Sequence, residues 1–297
     1  MKLDKDLNIK IEKEINDICI INKKIKNILV LAGGGMKGLG ILGAIKYLEE
    51  LDLIKNIEIY AGTSIGLIIS VLIIIGYTSH DIYKFTKLFD MSKSLDLDIN
   101  NLFTKYTINN CNNYDIILSE LLKKKNINPK INLLELYKLT KKKVIGTTVC
   151  ITTKQTEYIS YENYPELDVL TFMKMSSSVP FLFQPVTYKN KLYIDGGLTD
   201  NFPLDLFNNK LENVIGINII SEYFNIKEVK DILDYFLTIM GIFITNSIKC
   251  YTDNKYKNIV YNINITNSNP FNFSMSNKDK KNMYMEGYNF MKEKYEK

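Results

Sequence analysis

The stretch NILVLAGGGMKGLGILGAIKYLEEL (27–51), followed at once by NIEIYAGTSIGLIISVLIIIG (56–76), decides the fold. Each half begins with a short run of β-formers, passes through a glycine turn, and continues as an apolar segment long enough for a helix. Two successive strand–turn–helix units require parallel strands joined by helical crossovers, so they predict a mostly parallel sheet covered by helices.

Working outward, LLELYKLTKKK (133–143) predicts a helix and VIGTTVCITT (144–153) a strand. Further strands are expected near KLYIDGG (191–197) and NVIGINII (213–220). Residues 8–23 carry Ile at near-helical spacing and predict an amphipathic leading helix, whereas 88–130, rich in Asn, Lys and Ser, read as irregular. The tail from about Ile226 reads as helices broken by a polar stretch around 262–277. The expected organisation is an N-terminal helical extension (1–24), one α/β domain (25–222) and a C-terminal helical elaboration packed on it (223–297).

Composition excludes several classes. The chain has 297 residues, 46% hydrophobic and 24% charged, which is ordinary globular chemistry rather than disorder or a fibre. Its net charge of +5 falls short of a nucleic-acid footprint. Every Lys/Arg position is Lys. Cys19, Cys111, Cys150 and Cys250 are scattered without metal or redox spacing, so reduced thiols in a cytoplasmic protein are expected. The charged start MKLDKDLNIKIEKEIND does not read as a secretory signal. The apolar runs 65–75 and 232–248 are read as buried helices. The first is about half of what a bilayer requires, and Asp234 interrupts the second.

Gly62-Thr63-Ser64-Ile65-Gly66 is a G-x-S-x-G pentapeptide between a predicted strand and a predicted helix, the context that makes such a serine a nucleophile. The bland alternative is a Gly-Ser turn opening a buried helix. Gly33-Gly34-Gly35-Met36-Lys37-Gly38 leaves backbone N–H groups bare at a helix start, an anion site that suits an oxyanion or a nucleotide phosphate. The dinucleotide reading requires an acidic residue at the end of the second strand, where Tyr60-Ala61-Gly62 stands instead. The phosphate-loop pattern fails because Gly38 follows Lys37. The single His, His80, lies beyond the helix that follows Ser64, ~24 Å along its axis, so it is not expected to complete a Ser-His-Asp triad. The best remaining base is Asp195, in Asp195-Gly196-Gly197 at a strand end, against the alternative of an ordinary Asp-Gly turn. Asp200 is read as a helix N-cap. Asp96, Asp98 and Asn100 hint at a calcium loop, but Asn101 and Thr107 stand where such a loop requires Gly and Glu.

Taken together, GGGMKG (33–38), GTSIG (62–66), MSSSVPFLFQPV (175–186) and DGGLTDNFP (195–203) resemble, in order and spacing, the patatin-like phospholipase family. The connecting segment 133–153 resembles its bacterial-type members. The resemblance covers about 27–222 and implies a three-layer α/β/α fold, hydrolysis of fatty acyl esters, and no metal or other cofactor. It implies Ser64 as nucleophile and Asp195 as base, with Gly33, Gly34, Gly35, Lys37 and Gly38 forming the oxyanion loop. Gly62 and Gly66 would support the serine turn, and Gly196 and Gly197 the aspartate. Lys37 stands where the family usually has Arg, which supplies the charge without the planar fork. The expected partner is a phospholipid or other acyl lipid met by peripheral membrane contact, not a nucleic acid. Phe181, Phe183 and the helix 65–75 are candidates to line an acyl channel, with core packing as the alternative. The rival readings are a catalytically silent lipid-binding or scaffold protein on the same fold and a nucleotide-binding protein using the glycine loop.

Overall fold

The structure is a computed structural model that describes residues 26–88, 101–107, 112–220, 229, 232–247, 251–265 and 269–296. In chain order its elements are β1 (Ile28–Leu31), α1 (Gly38–Glu50), β2 (Ile59–Thr63), α2 (Ile65–Ile74), α3 (Ser79–Leu88), α4 (Asn101–Lys105), α5 (Asn112–Lys124), α6 (Leu133–Thr140), β3 (Lys143–Cys150), β4 (Gln155–Ile159), α7 (Val169–Ser177), β5 (Val186–Tyr188), β6 (Lys191–Asp195), β7 (Val214–Ile220), α8 (Ile232–Ser247), β8 (Val260–Asn264) and α9 (Asn277–Tyr295). The leading helix expected over 8–23 and the calcium-loop positions 96–100 lie outside the described residues.

The strands form one mixed sheet in the order β5-β6-β3-β2-β1-β7-β8, with β4 also on β3. The run β3-β2-β1-β7-β8 is parallel, while β4, β5 and β6 are antiparallel to their neighbours. Leu29 and Leu31 of β1 face a large core built with α1, α2, α5, α7 and α9, and Ile28 and Val30 face the other side. That side is closed by the helical turns Leu204–Phe207 and Asn254–Tyr256. The mostly parallel, helix-covered sheet predicted from 27–76 is present, in the three-layer form that the family resemblance implies.

Local signals account for several helix ends. Asn132 and Glu135 form a capping box on α6, and Lys141 in the left-handed region ends it three residues short of the predicted boundary. Asp168 caps α7 through the Thr171 N–H at 2.7 Å, although no helix was expected there.

Three expectations are corrected. Residues 101–105 and 112–124, read as irregular, are helices. α5 buries Leu118, Leu121 and Leu122, so a polar composition concealed an apolar stripe. Within the polar break of the tail lies β8, whose alternating Tyr261 and Ile263 are buried as it extends the sheet beside β7. Of the run 232–248, read as a buried helix, Ile232–Ser247 is helical, but its outer side is exposed: Ile232, Tyr235, Ile242 and Phe243 are each about half accessible.

Candidate active site

The sheet register explains how distant residues converge. Thr63 pairs with Thr147 on β3, and the adjacent Thr148 pairs with Asp195 at the end of β6. The carboxyl end of β2, the end of β6 and the glycine loop after β1 therefore meet at one end of the strands, in the middle of the sheet. Ser64 and Asp195 line the same pocket.

Ser64 adopts φ 53° and ψ −121°, a backbone conformation costly for a non-glycine residue. The turn is held from both sides. A Cβ on Gly62 would lie 2.6 Å from the Gly66 carbonyl carbon, and one on Gly66 would lie 2.5 Å from the Ala32 oxygen. The Ser64 N–H donates to the Ser176 hydroxyl at 2.9 Å. α7, which carries Ser176, is tied to the sheet where the Thr148 hydroxyl donates to the Met175 carbonyl at 2.9 Å. Behind Ser64, the first turn of α2 directs its N–H groups and positive dipole end toward the hydroxyl.

Asp195 is 2% exposed. Burial pushes its carboxyl up to about 6; the Ser64 hydroxyl and the Gly197 N–H pull it partly back. The Gly197 N–H donates to Oδ1 at 2.7 Å, while Oδ2 is buried without a partner in full hydrogen-bond geometry. The Ser64 hydroxyl is thus close enough to act on the carboxylate but is not locked to it, which is common in a site holding no substrate. A carboxylate titrating near neutrality is a far better base than an ordinary aspartate.

Hydrogen bonding divides the glycine loop. The Gly33 N–H donates to the Asn201 carbonyl at 3.0 Å, and the Asn201 amide returns a bond to the Gly33 carbonyl at 3.2 Å. The Lys37 N–H is engaged by the Gly34 carbonyl at 3.0 Å, and the Gly38 N–H by the Gly35 carbonyl. Three of the five expected oxyanion residues, Gly33, Lys37 and Gly38, therefore cannot donate their N–H groups, because closing the loop and starting α1 consumes them. The N–H groups of Gly34 and Gly35 have no acceptor among the described residues and line the pocket with Ser64. Gly35 has φ 54° and is crowded by the Pro270 carbonyl, so a side chain there would displace the loop. Lys37 is 4% exposed and lines the pocket, and burial lowers its ammonium to about 8.

His80 is exposed in the first turn of α3 and faces the Tyr83 ring, away from this constellation. Asp200 is not a helix cap: its carboxylate accepts the Tyr158 hydroxyl at 2.7 Å and the Phe202 N–H at 3.2 Å, and Pro203 precedes the next helical turn. Ser176 and Asn201 lay inside quoted motifs but were given no role. Their function arises from contacts across the sheet, to which spacing along the chain gives no signal.

The pocket comprises about 1190 Å³ of space, open solvent included. Ile65, Ile68, Ile69 and Leu72 of α2 form one wall, ~12 Å long from Ser64. Phe183, Phe271 and Phe273, all half-buried, also line the pocket. Of the two expected channel phenylalanines, Phe183 reaches the pocket, whereas Phe181 stacks on Phe236 at 4.1 Å.

Fold and site together define an α/β/α protein with a strained serine turn opening into an apolar pocket. The sequence profile of the patatin-like phospholipase family matches residues 29–208, and the chain belongs to that family. It is 30% identical over 255 residues to the probable lipid hydrolase 463L of Invertebrate iridescent virus 6, covering 84% of this chain and 81% of the viral protein. It is 30% identical over 203 residues to the protein R571 of Acanthamoeba polyphaga mimivirus, covering 67% and 66%. Among solved structures, VipD from Legionella pneumophila superposes with a TM-score of 0.60 at 18% identity, covering 92% of this chain and 67% of VipD. The type III effector ExoU superposes at 0.53 and 14%, covering 92% of this chain and 53% of ExoU, a likeness of fold.

Proposed function

We propose that this chain is a phospholipase A-type lipid acyl hydrolase that cleaves fatty acyl esters through Ser64 and Asp195. The observation that carries the reading is convergence: the strained Ser64, the buried Asp195 and the vacant N–H groups of Gly34 and Gly35 all open into one apolar pocket.

The ester carbonyl sits beside Ser64 with its acyl chain along the α2 wall. Asp195 takes the hydroxyl proton as Ser64 Oγ bonds to the carbonyl carbon. The Gly34 and Gly35 N–H groups hold the oxyanion, each donor contributing roughly 3–4 kcal/mol. The C–O bond to the lysolipid breaks, and the leaving oxygen takes the proton from Asp195. Water then gives its proton to Asp195 as its oxygen bonds to the acyl carbon; the bond from that carbon to Ser64 Oγ breaks, Oγ takes the proton back from Asp195, and the fatty acid leaves. The partner is an acyl lipid, reached by peripheral membrane contact from the cytoplasmic side.

The test is fatty-acid release from phosphatidylcholine vesicles without added calcium, comparing the unmodified chain with Ser64→Ala and Asp195→Asn. Release by the first and none by the variants is expected. Vesicle binding with no release by any of the three would indicate a silent lipid-binding protein.

A further inference from the structure

α8 is rich in apolar residues: its sequence ILDYFLTIMGIFITNS contains one charged residue, Asp234, which shares one line of the helix with Thr238 and Thr245. Apolar side chains occupy two further sides, more than one buried face requires. Here only one of those sides is covered. Leu237 and Met240 pack on Val179 and Leu182, and Ile244 lines the pocket. Ile232, Tyr235, Ile242 and Phe243 fall on the opposite stripe and are 48%, 52%, 56% and 52% exposed. The helix is also fixed to the site, since the Ser247 hydroxyl donates to the Gly197 carbonyl at 2.6 Å, two residues from Asp195.

From these observations we infer that the outer stripe of α8 is the face that inserts into a lipid surface and holds the pocket next to it. The inference rests on the acyl-hydrolase reading above for its purpose, not for its test. Continuity selects the occupant. Ile244 of the same helix lines the apolar pocket with Ser64, and the half-buried Phe183, Phe271 and Phe273 belong both to that lining and to the cluster under α8. The substrate proposed for the pocket is itself part of a lipid surface, so a bilayer is the occupant that brings acyl chains to the helix bordering the pocket. Because the stripe carries no cation, insertion is driven by apolar area rather than by anionic headgroups. Among the described residues no helix is long and apolar enough to cross a membrane, so α8 lies in the interface plane.

The test uses the full chain, vesicles of phosphatidylcholine alone, and a soluble monomeric ester, p-nitrophenyl butyrate. Ile242→Asp/Phe243→Asp should retain its thermal midpoint and its hydrolysis of the soluble ester within about twofold, while vesicle partitioning and vesicle hydrolysis fall at least about tenfold. High salt should leave the partitioning of the unmodified chain unchanged. Ser64→Ala should partition normally and hydrolyse neither ester. Partitioning unchanged by the double variant, or no partitioning of the unmodified chain, overturns the inference. A dimer that becomes monomeric in the double variant, with vesicle partitioning unchanged, overturns it in favour of a contact between copies. Partitioning that depends on the stripe in a chain that hydrolyses neither ester sinks the hydrolase reading and leaves the lipid-facing assignment standing.

Discussion

α2 and α8 are both rich in apolar residues but opposite in environment. α2 carries one polar side chain, Ser70, and is buried from Gly66 to Leu72, its remaining open side forming a wall of the pocket. α8 carries five, rests on one small cluster, and its far apolar stripe meets solvent. An apolar side chain is buried only where the chain supplies a partner for it; α2, following the central strand β2, has such partners from the sheet and the neighbouring helices, and the outer stripe of α8 does not. The enclosed helix can hold Ser64 in a strained turn because its surroundings over-determine the turn. The open helix is free to meet something else.

The largest effect should come from the start of the enclosed helix. Ser64→Ala is expected to reduce ester hydrolysis by roughly 10³–10⁶-fold with no loss of thermal stability, measured as kcat alongside the melting midpoint. A drop below tenfold would remove Ser64 as nucleophile.

Asp195→Asn should reduce activity comparably yet raise stability at neutral pH. The folded-state carboxyl lies at about 6, above its unfolded value. Its contribution to stability is therefore fully present below pH ~4 and is lost as pH rises through 6; Asn escapes that loss, by up to ~3 kcal/mol at pH 7. Denaturant unfolding at pH 4 and pH 7 checks the sign: the advantage of Asn should vanish at the lower pH. The same titration predicts that kcat/KM falls about tenfold per unit below pH 6, as the base is protonated. A flat profile between pH 5 and 7 would separate Asp195 from the chemistry.

The two helices should also differ in what they lose on truncation. Leu67→Ala, fully buried in α2 near Phe172, is expected to cost ~3 kcal/mol. The smallest effect is expected on the open helix, where Ile242→Ala should stay within ~0.5 kcal/mol. Urea unfolding of both variants decides it, and equal losses would mean that α8 is covered in solution.

The parts of the site that follow immediately on strands were legible in the chain. Glycine turns after β1 and β2 announce themselves because only small residues fit where a helix doubles back over a strand end, as at Gly62 and Gly66. The division of labour within the glycine loop was not legible. Whether an N–H is free depends on which carbonyl comes near it, and Asn201 and Pro270 reach the loop from far along the chain. Ser176 was hidden for the same reason. β8 escaped because an edge strand has polar residues at alternate positions and resembles a loop when read alone.

By itself, the sequence determined that this chain builds a mostly parallel sheet covered by helices with Ser64 on a tight turn, because period, apolar runs and glycine placement are local properties; the α/β/α layering came with the family resemblance of its ordered motifs. Only the tertiary structure decided that Asp195 is buried enough to titrate near neutrality, that Gly34 and Gly35 alone among the expected donors have N–H groups with no acceptor among the described residues, and that one apolar stripe of α8 faces outward. Desolvation, hydrogen-bond pairing and exposure are each set by neighbours that the fold supplies.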